Sequence, residues 1–191
     1  MKNLIIALVF TMTLSSCDSN PSPLTYSGCD GQEIDGIAFE YCLLNSQMED
    51  VTELLEGENF FFKFTVRNKT GKEYYFYPQY ANDAENDFCT VYTVDGQKVG
   101  KPYVLNALNL IGIGGFPFGQ NDDYVFVQPW VDTRDSSWTW KLGTYSSTRQ
   151  NPLPPGQYRA SFKETFRFRV PGSDDELTIK DVEFKINFTI N

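Results

Sequence analysis

The sequence predicts an all-β fold, an antiparallel β-sandwich of about eight or nine short strands. Apolar and polar side chains alternate along several segments, which is the period-two pattern of a strand with one buried face. Glycine, proline, asparagine and aspartate separate these segments at short intervals. No long stretch has the 3.6-residue period of a helix. Antiparallel sheets can leave one face in water, whereas parallel strands would be continuously apolar, so the alternation favours the antiparallel arrangement.

The N-terminal residues, 1–16, have the layout of a signal peptide, because Lys2 gives a positive start and Leu4–Phe10 is an uninterrupted apolar run. This run is too short to cross a bilayer, which takes about 20 apolar residues. The sequence LSSC that ends at Cys17 resembles the lipobox of bacterial lipoproteins. The resemblance implies cleavage before Cys17 and lipid on its thiol. We therefore expect a protein anchored in the bacterial cell envelope, in the outer membrane, facing the periplasm or the cell surface.

Residues 17–30 are polar and rich in serine and proline, which predicts a lipidated tether. Residues 31–191 then form one domain, since a domain usually takes about 100 to 200 residues. The net charge of −9 and the lack of a basic patch argue against nucleic acid as a partner. The expected partners are the membrane, through the lipid, and an unidentified protein or glycan.

Three cysteines remain once Cys17 carries lipid, and an exported protein can oxidise one pair of them. Pairing of Cys29 with Cys42 closes the shortest loop, and it is the pairing that we favour. Pairing of Cys42 with Cys89 could instead join two strands. Three free, buried thiols are the remaining alternative, because sequence spacing does not determine connectivity.

Strand patterns begin at residue 37, in IAFEYCLLN. A weak helical pattern, or a loop, follows at residues 46–57. The next strand carries alternating apolar residues up to Val66, and the turn sequence NKTGK joins it to a strand at Tyr74–Tyr77, which predicts a hairpin. A further hairpin is predicted at Asp95-Gly96, the strongest short hairpin signal, and DDYVFVQPW supplies another strand.

The C-terminal segments YRASFKETFRFRV and DVEFKINFTI have the clearest alternation, and the turn sequence PGSDDE connects them. They predict a terminal hairpin with one buried face. The side chains expected on this buried face are Phe162, Phe166, Phe168, Val170, Val182, Phe184, Ile186, Phe188 and Ile190.

Three segments, FKFTVRNKTGKEYYFY, VYTVDGQKVG and NPLPPGQYRASF, are together similar to the immunoglobulin-like domains of bacterial lipoproteins, including the BsuPI-type group named for proteinase inhibitors. The resemblance implies an immunoglobulin-like sandwich and makes protease inhibition an alternative function, although fold alone does not define function. The matching corner is Leu153, Pro155, Gly156 and Tyr158. We expect Gly156 to adopt a φ that other residues avoid, and the buried Tyr158 to hydrogen-bond the backbone.

The chain contains no histidine, which excludes Ser-His-Asp and Cys-His catalysis and most zinc and copper sites. Carboxylates cluster in turn sequences, where they are usually solvated. We therefore expect neither an enzyme nor a cofactor. Asp83, Glu85 and Asp87 are a weak calcium candidate, because they offer oxygen ligands at alternate positions but lack the EF-hand spacing.

Trp138 and Trp140 would share a face of a strand, and with Trp130 and Tyr145 they could form a platform for sugar rings or a peptide. The alternative is that these rings fill the core. The sequence thus predicts a non-catalytic binding module of unknown ligand. A carbohydrate-binding surface lipoprotein would expose the tryptophans, and a protease inhibitor would present a protruding loop at Gly112–Asn121.

Overall fold

The structure is a computed structural model that describes residues 28–78, 89–105, 115–130, 145–147 and 152–191. These residues form an all-β, antiparallel sandwich with thirteen strands. The count exceeds the predicted eight or nine because seven strands have only two or three residues. The strands are β1 (Cys29–Ile34), β2 (Ile37–Leu44), β3 (Glu53–Leu54), β4 (Phe60–Asn68), β5 (Tyr74–Phe76), β6 (Val91–Thr93), β7 (Lys98–Gly100), β8 (Tyr103–Leu105), β9 (Phe116–Phe118), β10 (Asp123–Trp130), β11 (Tyr145–Ser147), β12 (Gly156–Arg169) and β13 (Glu176–Ile190).

Two main sheets pack face to face. The four-stranded sheet has the order β1-β2-β4-β10, and the seven-stranded sheet has the order β3-β13-β12-β5-β9, with β6 paired to β12 and β7 to β6. Strands β8 and β11 form a separate pair. The described pairings are antiparallel except β3 with β13, which is parallel. None of the described residues belongs to a helix that is long and apolar enough to cross a membrane.

The predicted terminal hairpin is confirmed, since β12 and β13 pair along their length. One β-bulge interrupts the register, because Glu164 pairs with Val182 whereas Phe166 pairs with Ile179, which leaves one extra residue in β13. Asp181, within the bulge, has a φ of 58°. The bulge shifts the alternation by one residue, so Ile179 and Val182 both face the core.

Aromatic rings from both sheets meet at the centre of the core. The ring of Phe64 in β4 lies 5.3 Å from that of Phe162 and 5.1 Å from that of Phe184 in the opposite sheet. Phe39 in β2 lies 4.5 Å from Phe166. These separations fall in the range that aromatic pairs favour. The high phenylalanine content therefore serves the contact between the two sheets.

The predicted hairpin between β4 and β5 is wrong. Strand β4 pairs with β2 and β10, whereas β5 pairs with β12 and β9, so the chain crosses from one sheet to the other between these strands. Both strands bury aromatic rings from opposite sides of the same core. In this chain, a turn sequence between two segments of alternating polarity therefore connects strands of different sheets and not the two strands of a hairpin.

A buried asparagine side chain fixes that crossing. Asn68, at the end of β4, is fully buried. Its Nδ2 donates to the carbonyl oxygens of Lys72, Phe118 and Gly119 at 2.7, 3.0 and 3.0 Å. Its Oδ1 accepts from the backbone N–H and the hydroxyl of Thr70 at 3.0 and 2.7 Å. One side chain thus joins the crossing segment to the turn that follows β9.

The turn predicted at Asp95-Gly96 is confirmed as the connection between β6 and β7. Gly96 has a φ of 89°, in the left-handed region that favours glycine. The backbone N–H of Thr93 donates to the carbonyl of Gln97 at 2.9 Å and closes the turn. The Thr93 hydroxyl donates to the Asp95 carboxylate, and this bond lowers the pKa of Asp95.

The predicted tyrosine corner is present. Tyr158 is buried, and its hydroxyl donates to the carbonyl of Pro154 at 2.8 Å. Burial raises the pKa of this hydroxyl. The expectation for Gly156 is wrong, because its φ is not in the left-handed region and a Cβ there would meet only the Tyr158 ring at 3.6 Å, an ordinary contact. The corner therefore depends on the tyrosine rather than on the glycine.

Strand β1 contacts β13 through side chains. The Asp30 carboxylate accepts from the backbone N–H of Lys185 at 2.8 Å, and the Gln32 amide donates to the carbonyl of Glu183 at 2.5 Å. These two hydrogen bonds join one edge of the four-stranded sheet to the other sheet. Strand β1 begins at Cys29, so the last two residues of the segment 17–30 lie in a strand.

Candidate functional site

A cleft of about 500 Å³ lies on the outer face of the seven-stranded sheet. Small-molecule sites usually have volumes of about 300 to 1,000 Å³. Strands β12 and β13 form its floor, and β3 and the turn between β6 and β7 form its walls. We call it the polar cleft, and its lining residues are Thr52, Glu53, Val94, Gln157, Tyr158, Asn187, Phe188 and Thr189.

The strand register places polar side chains in a row across the cleft. Gln157 pairs with Thr189, which pairs in turn with Glu53. The neighbouring residues Tyr158 and Phe188 are buried, with their rings 5.7 Å apart. Since successive side chains of a strand point to opposite faces, Gln157 and Thr189 point outward. The alternation that builds the core therefore also builds the cleft.

The next row contains an arginine between an amide and an aromatic ring. Arg159 pairs with Asn187 on one side and with Tyr92 on the other. Its guanidinium carbon lies 5.7 Å from the centre of the Tyr92 ring, a cation–π distance. The Nε of Arg159 is buried and has no hydrogen-bond partner among the residues that the structure describes. This row therefore holds one unpaired donor beside the cleft.

The amides of the cleft have unused hydrogen-bonding capacity. Gln157 and Asn187 are exposed, and neither side chain has a hydrogen-bond partner in the described part of the chain. Each primary amide supplies two donors and one acceptor. Glu53 is the one charged residue of the lining, and the Arg159 guanidinium beside the cleft carries the opposite charge. The cleft therefore has both signs of charge next to neutral polar groups. It can accept and donate hydrogen bonds without requiring a charged ligand.

A second surface lies on the same sheet face, where β5 meets β9. We call it the tyrosine patch, and it contains Tyr75, Tyr77, Gly115, Pro117 and Arg169. Tyr75 is 38% exposed and pairs with both Pro117 and Arg169. The Arg169 guanidinium lies 5.6 Å from the centre of the Tyr77 ring. At about 3.3 Å per residue along β12, Gln157 of the polar cleft lies about 40 Å from Arg169, so the two surfaces are separate.

We expect Gly115→Ala to lower the free energy of unfolding by about 2 kcal/mol, the usual cost of overpacking. An added Cβ would lie 2.7 Å from both the Cβ of Tyr75 and the Cζ of Tyr77, so both tyrosines must move. Urea titration followed by circular dichroism measures the loss. Gly31→Ala is the control, because its Cβ would meet only the Phe39 carbonyl at 3.7 Å. Equal losses in both variants would contradict the contact.

The outer face of the four-stranded sheet is covered by ion pairs. The Arg67 guanidinium donates two hydrogen bonds to Asp123, at 2.5 and 2.7 Å, and these bonds lower the pKa of the Asp123 carboxyl. The Lys69 ammonium lies 2.8 Å from the Glu33 carboxylate. A depression of about 360 Å³ lies among these charges. Because these charged groups already pair with one another, this face has less unused hydrogen-bonding capacity for a ligand than the polar cleft has.

The predicted tryptophan platform loses one member. Trp130 is 3% exposed, and its ring stacks on Phe60 at 5.6 Å, because its position in β10 faces the core. For Tyr145 the structure describes only the backbone, in β11. The remaining predicted residues, Trp138, Trp140, the calcium candidates Asp83, Glu85 and Asp87, and the lipidation site Cys17, lie outside the described residues.

Cys29 and Cys42 form a disulfide between paired positions of β1 and β2. Cys89 is free and buried, and burial raises the pKa of its thiol although a hydrogen bond with Tyr41 opposes the shift. A thiol that stays protonated is a poor nucleophile. A Glu40 carboxylate oxygen lies within 4.8 Å of both disulfide sulfurs, but metal ligation requires thiolates, which a disulfide does not supply.

The described part of the loop considered for protease inhibition, residues 115–121, contains a short strand. Residues Phe116–Phe118 form β9 and pair with β5. Phe118 is 1% exposed, whereas Phe116 is 44% exposed and lies 5.6 Å from the Tyr124 ring. Residues Phe116–Phe118 of this segment are therefore held in the seven-stranded sheet by their pairing with β5.

No family model matches the sequence, and no curated protein was found to be similar. The crystal structure of the C-terminal domain of wzt is similar in fold. That comparison covers 87% of this chain and 79% of the other, with 14% identity and a TM-score of 0.39. A likeness at this level assigns no function to the chain.

Sequence reasoning did not find the residues of the polar cleft. Gln157, Asn187 and Thr189 occupy polar positions in the two best-predicted strands. The signal that could have identified them is their chemistry, since amides and a hydroxyl replace the charged residues that alternate elsewhere in the same strands. Their closeness depends on the strand register, which the alternation alone does not provide.

Proposed function

We propose that this chain is a lipid-anchored, exported protein of the bacterial envelope, and that its domain is a non-catalytic binding module with the polar cleft as its binding surface. The observation that carries export is the disulfide between Cys29 and Cys42. Disulfides persist in oxidising compartments and are rare in the cytosol. Cys29 lies at the C-terminal end of the segment predicted to be the lipidated tether, residues 17–30, and Cys42 lies in β2.

The chemistry of the cleft supports binding rather than catalysis. General acid–base catalysis usually requires a histidine or a second ionisable group close to the reacting atoms. The chain has no histidine, and Glu53 is the one carboxylate among the residues that line the cleft. The other polar lining side chains are amides and hydroxyls, which orient a ligand through hydrogen bonds.

Lipid attachment is tested by growing cells that express the full chain with radiolabelled palmitate. We expect label on the native protein, and an unlabelled, unprocessed precursor for Cys17→Ala, because the thiol that would carry the lipid is missing. Cys89→Ala is the matched control, since it removes a free, buried cysteine and leaves labelling unchanged. Label on Cys17→Ala, or its absence from the native chain, would contradict the lipid anchor.

A further inference from the structure

The exposed amides of the polar cleft have a chemistry that suits one class of ligand. From the pairing, charge and shape of its side chains, we propose that the cleft binds a short stretch of a neutral saccharide. This inference rests on the proposed binding role of the cleft and adds the ligand class.

Hydrogen-bonding capacity is the first argument. Gln157 and Asn187 each present donors and an acceptor with no protein partner in the described part of the chain, and Thr52 and Thr189 add hydroxyls that do both. Neighbouring hydroxyls of a sugar also donate and accept at once. A row of amides and hydroxyls across two strands can therefore donate hydrogen bonds to a sugar ring and accept hydrogen bonds from it.

Charge is the second argument, and it specifies a neutral sugar. A phosphorylated or carboxylated ligand is usually held by several cations, often through paired guanidinium bonds. Beside the cleft, the guanidinium of Arg159 faces the Tyr92 ring, and Glu53 supplies an opposing charge. The whole chain carries a net charge of −9, which disfavours an anionic polymer further.

Shape separates a saccharide from a peptide. Protein and peptide partners are usually held by aromatic or aliphatic anchors in apolar pockets. The large apolar residues of the cleft, Tyr158 and Phe188, are directed into the core and are 5% and 3% exposed. Val94, 62% exposed on the wall, leaves a small apolar surface that suits the C–H face of a sugar ring.

The test uses the purified full-length lipidated chain in a detergent without a sugar head group. Immobilised probes are the neutral oligosaccharides cellohexaose, maltohexaose, xylohexaose, mannohexaose and chitohexaose, the anionic polymers hyaluronan and polygalacturonate, and a tryptic digest of casein. We expect retention on at least one neutral probe. Gln157→Ala and Asn187→Ala should each weaken it about tenfold, since each removes hydrogen bonds to the ligand.

Ser161→Ala and Lys185→Ala are the matched controls, because these residues pair with each other in the next outward row of the same strands. We expect the controls to bind within about twofold of the native chain. Substitutions at outward-facing positions of this kind leave the fold intact, and circular dichroism of each variant checks this.

Three results would overturn the proposal: no retention on any neutral probe, retention on anionic probes alone, or unchanged binding by the Gln157 and Asn187 variants. Retention of casein peptides alone, weakened by Asn187→Ala, would keep the binding role of the cleft and reject the saccharide. Retention of none of the probes would reject both. Palmitate labelling of the same preparation reports the lipid anchor independently.

Discussion

We expect Phe64→Ala to lower the free energy of unfolding by about 4 kcal/mol, within the usual range for removing a buried phenylalanine. Phe64 is fully buried, and its ring contacts those of Phe39, Phe162, Phe166 and Phe184. Truncation leaves a cavity between the two sheets that rigid neighbouring rings cannot fill. Urea titration followed by circular dichroism measures the loss.

Phe116→Ala is the matched control for this prediction. The same atoms are removed, but Phe116 is 44% exposed at the sheet edge, so its loss should be about 1 kcal/mol or less. Native domains are stable by about 5 to 15 kcal/mol, so a titration can resolve the difference. Similar losses in the two variants would show that the sheets do not meet at Phe64.

The second large effect is expected for Asn68→Ala, with a loss of about 3 kcal/mol. The substitution removes the hydrogen bonds to the carbonyls of Lys72, Phe118 and Gly119 and leaves the N–H and hydroxyl of Thr70 without this acceptor. A buried polar group that loses its partner costs about 1 to 3 kcal/mol. Thermal unfolding of the full chain gives a second measure of this loss.

Asn68→Asp tests the same site through pH. At neutral pH the new carboxylate would face three carbonyl oxygens, so its charged form is disfavoured and its pKa is raised in the folded state. Its stability deficit relative to the native chain should therefore be largest at neutral pH and shrink as the pH falls and the carboxyl protonates. A deficit that does not change with pH would place residue 68 in solvent.

Asn45→Ala serves as the control for both Asn68 variants. The Asn45 Oδ1 accepts from the backbone N–H groups of Gln47 and Glu49 at 2.9 Å each, but in an exposed turn. Water can replace these bonds, so we expect a loss of about 1 kcal/mol or less. If Asn68→Ala costs no more than this, burial of Asn68 does not stabilise the crossing between sheets.

Strand length decided how much of the fold could be predicted. The two longest strands, β12 and β13, carry enough alternation to show which side chains face the core, and their pairing was predicted. Strands of two or three residues, such as β3 and β9, contain about one period of the pattern. Their existence depends on hydrogen bonds to longer neighbours, which are tertiary contacts that local sequence does not encode.

The sequence predictions were wrong where the same local sequence is compatible with two different structures. The sequence that follows Val66 has the composition of a hairpin turn, yet the chain changes sheets there, because Asn68 is buried and bonded to distant carbonyls. An asparagine in a turn is usually solvated, so its sequence context did not predict its burial. Similarly, the bulge at Asp181 shifts the alternation of β13 by one residue without a glycine to mark it.

The candidate site could not be predicted from the sequence either, because it also depends on tertiary contacts. Gln157 and Asn187 lie 30 positions apart and become neighbours only through the register of the hairpin. Tryptophans were the more conspicuous candidates, but Trp130 proved to be a core residue. Exposed amides carry little signal in a single sequence, because most polar positions of a strand are simply wet.

The two hydrogen bonds that Asp30 and Gln32 make to β13 have a consequence for self-association. An uncovered sheet edge presents backbone donors and acceptors to which a strand of another chain can add, and such pairing begins aggregation. In β13 the N–H of Lys185 and the carbonyl of Glu183 are occupied by side chains of the same molecule. For a protein concentrated on a membrane by a lipid anchor, as proposed, neighbouring copies would meet often, and these two groups of β13 are not available to pair with a strand of another copy.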